Sequence, residues 1–219
     1  MRKLLLLLCI LSITISTKAQ LFGKHWDEGS YYDLQGVKHQ GLISWTAPQK
    51  SLFNGDGDEI FYKTQKDADM VKIKSSELRS FIIGVDSFVV SKNEIFKRKP
   101  FLNVLVNTND TLKIYRSMEK RSSPGIGFGV GSIGAVTAMV GASFNYTKKA
   151  YYYGKNPNNV IKIDNKNFTE VTSKILANIP LIVKEIESKS LRDMEDVEVA
   201  LQQWAYSQKK AAQAADNQK

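Results

Sequence analysis

The side chains able to do chemistry are few and scattered. His25, Asp27 and Glu28 put an imidazole beside two carboxylates, the donor types of a metal site. Their spacing matches no ligand pattern, and the only other histidine is His39. The expectation is a solvated lead into a first strand, with no metal. Asn54-Gly55-Asp56-Gly57-Asp58 places oxygen ligands at alternate positions, like the start of a calcium loop. Glu59 stands where such a loop needs glycine, and Gln65 where it needs a bidentate glutamate. A Gly/Asp turn into a strand Glu59–Lys63 is the better reading. Carboxylates such as Asp56, Asp58 and Glu59 could in principle supply the acid–base pair of a hydrolase. No GxSxG, HExxH, P-loop or dinucleotide fingerprint accompanies them. No catalytic residue, cofactor or metal is therefore assigned, and a non-catalytic protein is the expectation.

The first residues set an address. Arg2 and Lys3 precede an apolar run Leu4–Ile15, and Thr17-Lys18-Ala19 offers small residues at the −3 and −1 positions. That is the pattern of a secretory signal peptide over 1–19, cleaved after Ala19. Cys9, the sole cysteine, lies inside the apolar run behind three leucines, which does not suit lipidation. The mature chain then has no thiol and no disulfide, and must hold together by packing and strand pairing. Removal of Arg2, Lys3 and Lys18 lowers the formal net charge from +9 by three, to +6. This modest excess would allow association with anionic surfaces. Lys97-Arg98-Lys99 is the densest basic run, and it carries no interleaved aromatics. It reads as a solvated turn, and nucleic acid is not an expected partner.

The elements that position these residues are mostly strands. Met70–Lys74, Phe81–Val90, Phe101–Val106 and Leu112–Tyr115 are short runs rich in Val, Ile, Phe and Leu, separated by turn residues. They predict adjacent antiparallel strands. Gly29–Trp45 predicts a hairpin turning at Gln35-Gly36. The aromatics Trp26, Tyr31, Tyr32 and Trp45 crowd this region; they suit cross-strand packing better than sugar stacking. Ser75–Arg79 allows one helical turn, and Ala150–Lys155 with Val160–Ile163 reads as a closing hairpin turning at Asn156–Asn159. The period then changes. Phe168, Val171, Ile175 and Leu176 share a helix face, with Asn165 as the expected cap; Pro180 opens a second helix. Met194, Val197, Leu201 and Trp204 mark a third, capped by Asp193. The expected organisation is a signal peptide 1–19, an antiparallel β domain 20–164, a helical segment 165–208 and a fraying tail 209–219. The fold class is α+β, mainly an antiparallel sheet forming a sandwich or open barrel, with C-terminal helices packed on it.

Several stretches carry a resemblance. YYDLQGVKHQGLISW, EIFYK, VKIKSSELRSFIIGVDSFVV and PFLNVLVNTNDTLKIYRS are similar to segments of a broad group of uncharacterised secreted and envelope proteins of Bacteroidota. The Ser76–Phe81 turn, the Phe101–Val106 strand and the Leu112–Tyr115 strand match that group's short motifs, as does the helical tail. Here Trp204-Ala205-Tyr206 replaces the group's usual Tyr-Asn ending. The resemblance implies an envelope or secreted location and brings no activity or site residues. Asp110-Thr111-Leu112 looks like the O-glycosylation tripeptide of such proteins, which makes Thr111 a candidate acceptor.

One segment stands apart. Arg121 and Lys148 bracket 26 residues without a charge, and Gly125, Gly127, Gly129, Gly131, Gly134 and Gly141 punctuate them. The length and the Gly127-x-x-x-Gly131 spacing allow a membrane segment. Crowded glycine favours instead a flexible insert, 122–147, joining two strands that could pair without it. Either way its missing charge makes it the expected contact surface. The candidate contact residues are Ile126, Phe128, Val130, Ile133, Val136, Met139, Val140 and Phe144; the expected partner is a membrane surface or an unknown envelope protein.

Overall fold

The computed structural model describes residues 24–49, 57–107, 112–130 and 136–216; for 122–130, 136–145 and 215–216 it describes the backbone alone. The proposed signal peptide, Asp56, Thr111 and Ile133 lie outside the described residues.

The expected α+β class is present. The strands are β1 (Asp27–Asp33), β2 (Lys38–Ser44), β3 (Glu59–Lys63), β4 (Val71–Lys74), β5 (Leu78–Ile83), β6 (Asp86–Val90), β7 (Phe101–Val106), β8 (Lys113–Val130), β9 (Val136–Asn156) and β10 (Asn159–Lys162). They form one open antiparallel sheet in the order β10-β9-β8-β7-β6-β5-β1-β2-β3-β4. Three helices follow: α1 (Phe168–Ile175), α2 (Pro180–Glu187) and α3 (Met194–Asp216).

The run Phe81–Val90 is two strands and not one. Gly84, at φ +55°, and the fully exposed Val85 turn the chain, so that Ile83 pairs with Asp86. Glycine takes this left-handed conformation without a Cβ penalty. The strand at Val71–Lys74 is not a neighbour of the next one in sequence. It pairs with β3 at the sheet edge, while β5 crosses back to pair with β1. Both edges are short and carry lysines, Lys72 and Lys74 on β4 and Lys162 on β10, which discourages further pairing there. The β1–β2 turn falls at Gly36, as expected, with φ +87°.

The core has separate parts on the two sides of the sheet. Ile43, Ile60, Leu78, Phe81, Phe88 and Phe101 cluster over β1–β7, with Trp45 laid against Phe88 at 4.8 Å between ring centroids. Tyr31 stacks on His39 at 4.5 Å. The crowded aromatics Tyr31 and Trp45 are therefore packed in the sheet, as cross-strand pairing requires. The helices bury Phe168, Val171, Ile175, Ile182, Ile186 and Val197 with Ile114 of β8 and Tyr151 of β9, toward the β10 end of the sheet. Tyr115 and Leu102 are buried on the other side, with Phe96.

The helix ends differ in detail from expectation. Asn165 does not cap α1; Asp164 Oδ1 accepts from Lys166 N at 2.9 Å and Asn167 Oδ1 accepts from Asp164 N at 2.9 Å. Asp193 does cap α3, accepting from Glu195 N at 2.8 Å and Asp196 N at 3.0 Å. The expected fraying tail is helical to Asp216, although 205–214 are exposed.

Candidate functional site

The insert expected as a loop is a continuation of β8 and β9. Their pairing runs from Lys113↔Gly154 through Ser117↔Ala150 and on to Val130↔Val136. Alternation explains it: Gly125-Ile126-Gly127-Phe128-Gly129-Val130 has a large residue at every second position, the period of a strand. Glycine content alone argued for a loop, and this period was the signal that it outweighed. The ladder shifts register between Ser123 and Gly125, where Pro124 has no N–H to donate.

Among the described residues, most of this ribbon has no neighbouring strand in the sheet. β7 pairs with β8 only from Ile114 to Arg116, and β10 reaches β9 only at Tyr152, Tyr153 and Asn156. Beyond these, one bridge joins Gln49 to Lys120, whose N–H donates to the Pro48 carbonyl at 2.8 Å. From Arg121↔Tyr146 to Val130↔Val136 the described pairings are those of the two strands with each other. Ser122–Val130 is about 30 Å long at the usual rise per strand residue.

The register sorts the candidate contact residues. Ile126↔Val140, Phe128↔Ala138 and Val130↔Val136 are cross-strand pairs at alternate positions, so they belong to one side of the ribbon. Gly125↔Gly141, Gly127↔Met139 and Gly129↔Thr137 belong to the other. Met139 is thereby separated from Ile126, Phe128, Val130, Val136 and Val140. Phe144 lies past the register shift, opposite Ser123.

A charged collar surrounds the ribbon's base, which reading the uncharged insert alone missed. Lys120 and Lys148 are exposed, Arg121 pairs in register with Tyr146, and Tyr146 is half exposed. Glu119 is held by Lys99 Nζ at 2.8 Å and Arg121 Nε at 3.2 Å. The lysine hydrogen bond in particular holds its carboxyl below the ordinary glutamate range.

Below the collar a buried polar cluster ties both strands to α3. Glu198 forms an ion pair with Arg116, accepts from Lys149 Nζ at 3.2 Å, and accepts from the Tyr151 hydroxyl at 2.9 Å. Burial, and then the Glu198 carboxylate, push the Tyr151 phenol well above its ordinary range. The sequence signal was an acid at +4 from Met194, inside the apolar stripe of the last helix.

The acids considered for catalysis lie elsewhere. Asp58 and Glu59 line a groove of about 500 Å³ with Lys24, Trp45, Phe61 and Lys120. Glu59 is bonded to Lys72 on the adjoining strand at 3.0 Å, an ordinary cross-strand ion pair. Lys24 lies over the Phe61 ring, and burial lowers its pKa. His25 pairs with Asp27 at 3.1 Å on the surface, and His39 with Asp33 at 3.0 Å. Among the described residues no cluster of His, Cys, Asp or Glu could hold a metal ion, and no helix is long and apolar enough to cross a membrane.

No family model, curated protein or solved structure matches this chain.

Proposed function

We propose that this is an exported, non-catalytic envelope protein that binds a membrane surface through the ribbon of β8 and β9. The observation that carries this reading is the ribbon itself: an uncharged pair of strands running past the sheet, with a basic, tyrosine-bearing collar at its base. Uncharged strands suit a hydrocarbon layer; lysine, arginine and tyrosine suit its headgroup boundary. The signal-peptide pattern and the resemblance to secreted Bacteroidota proteins support the address.

Flotation tests it. The chain from Gln20 is mixed with vesicles of phosphatidylglycerol and phosphatidylethanolamine and spun through a density gradient. The intact chain should float with the vesicles. A variant with Pro124–Asn145 replaced by a short Gly/Ser turn should stay at the bottom. Equal flotation of both would overturn the reading.

A further inference from the structure

We propose that several copies of this protein close a transmembrane β-barrel, each contributing the ribbon of Ser122–Val130 and Val136–Thr147 as one hairpin. This rests on the membrane reading above and goes further, since surface binding needs neither spanning nor assembly.

The two sides of the ribbon differ as a barrel wall requires. Ile126, Phe128, Val130, Val136, Ala138 and Val140 occupy one side by register. The other has four glycines with Thr137 and Met139. A spanning strand alternates apolar residues toward lipid with small or polar residues toward the lumen. Length agrees as well. A tilted membrane strand needs roughly 9–11 residues, and the uncharged stretch supplies that on both strands.

The backbone then dictates the occupant of the open edges. Beyond the Gln49–Lys120 bridge, the outer edge of β8 has no strand beside it among the described residues, nor does that of β9 before Tyr152. In hydrocarbon no water can satisfy those N–H and C=O groups, so a lone hairpin is not a viable spanning structure. Only closure removes both edges. The hairpin of a further copy carries the same uncharged composition and the same two outer edges, and fits on both sides in turn. Roughly eight strands make the smallest such barrel, which corresponds to about four copies. The collar at Lys120, Arg121, Tyr146 and Lys148 falls where the wall would meet the headgroups.

The test uses the chain from Gln20 on phosphatidylglycerol/phosphatidylethanolamine vesicles loaded with a self-quenching dye. Flotation, dye release and chemical cross-linking of the bound protein are read together. Thr137→Asp and Ala138→Asp place the same charge at adjacent positions on opposite sides, and a thermal melt of each verifies its fold. The intact chain should float, release dye and cross-link to tetramers or larger on vesicles. Thr137→Asp should do the same, while Ala138→Asp should release dye about tenfold more slowly or not at all. Protein that floats but releases no dye and stays monomeric overturns the barrel and leaves the surface-binding reading standing. Failure to float overturns both. Equal loss in Thr137→Asp and Ala138→Asp overturns the barrel, because a wall with distinct sides cannot respond that way.

Discussion

The hydroxyl of Tyr151 on β9 donates to Glu198 on α3 at 2.9 Å, inside the interface between sheet and helix. The same carboxylate holds Arg116 and Lys149, so one acid joins the last helix to both ribbon strands just below the point where they leave the sheet. Arg116 is also buried. Removal of Glu198 would leave its charge without its partner in the interior. Glu198→Ala should therefore cost about 3–5 kcal/mol, measured by urea denaturation. Arg116→Met with Glu198→Leu should restore much of that loss, since a well-packed apolar pair avoids the desolvation of both ions.

Tyr151 also makes stability depend on alkaline pH. Its folded pKa is raised, so its contribution is complete below the unfolded phenol value of about 10. As pH rises past that value, the unfolded chain loses the proton and the folded chain keeps it. The contribution is then lost progressively toward the higher folded value. Tyr31, Tyr115 and Tyr152 are raised too, each chiefly by burial, and act with the same sign. Tyr151→Phe should accordingly give a shallower fall in stability from pH 9 to pH 11.5, without abolishing it. An unchanged slope in pH-dependent denaturation would show that Tyr151 titrates alike in both states.

Glu119 acts in acid. Its folded pKa is lowered by Lys99 and Arg121, so its contribution is complete above the unfolded glutamate value of about 4.3. It is lost as pH falls from there through the lower folded value. Glu119→Gln should lower stability at pH 7 and flatten the acid limb below about pH 4.3. Melting temperatures between pH 7 and pH 2 check both effects.

Replacement of Pro124–Asn145 by a short Gly/Ser turn should leave a soluble, cooperatively melting protein. The strand pairs from Lys113↔Gly154 to Ser117↔Ala150 lie outside the replaced segment. The described pairings of the removed stretch are those of its two strands with each other, and a lone two-stranded ribbon is marginally stable at best in water, so its loss should change the stability of the body little. An unfolded or insoluble product would mean that the ribbon packs on the body.

Phe81 is fully buried and stacks on Phe88 at 4.7 Å between ring centroids. Phe81→Ala should cost about 3–5 kcal/mol through lost burial and the cavity left behind. Val85→Ala, at the exposed tip of the same hairpin, should change stability by less than about 0.5 kcal/mol. Paired denaturation curves compare the two.

Local chemistry was legible in the chain itself. Val, Ile and Phe runs separated by turn residues specify strands, and a Gly at a tight turn specifies where they reverse; Phe101–Val106, Glu59–Lys63 and the Gly36 turn appear where those rules put them. Pro180 and Asp193 likewise start their helices, because a missing N–H and a capping carboxylate act within one turn. Partnership between distant strands was not legible. The crossing of β5 back to β1, which leaves β4 at the edge, depends on which apolar faces bury together, and no short window contains that. Glu198 looked like any helix acid until packing brought it to Arg116 and Tyr151, which lie 82 and 47 residues earlier in the chain. The glycine-rich segment shows both limits at once. Its period of two was written in the sequence, whereas its pairing as a ribbon beyond the sheet was decided by the ladder that Lys113↔Gly154 begins. Once that ladder sets the register, each added pair satisfies backbone groups that glycine alone would leave to water.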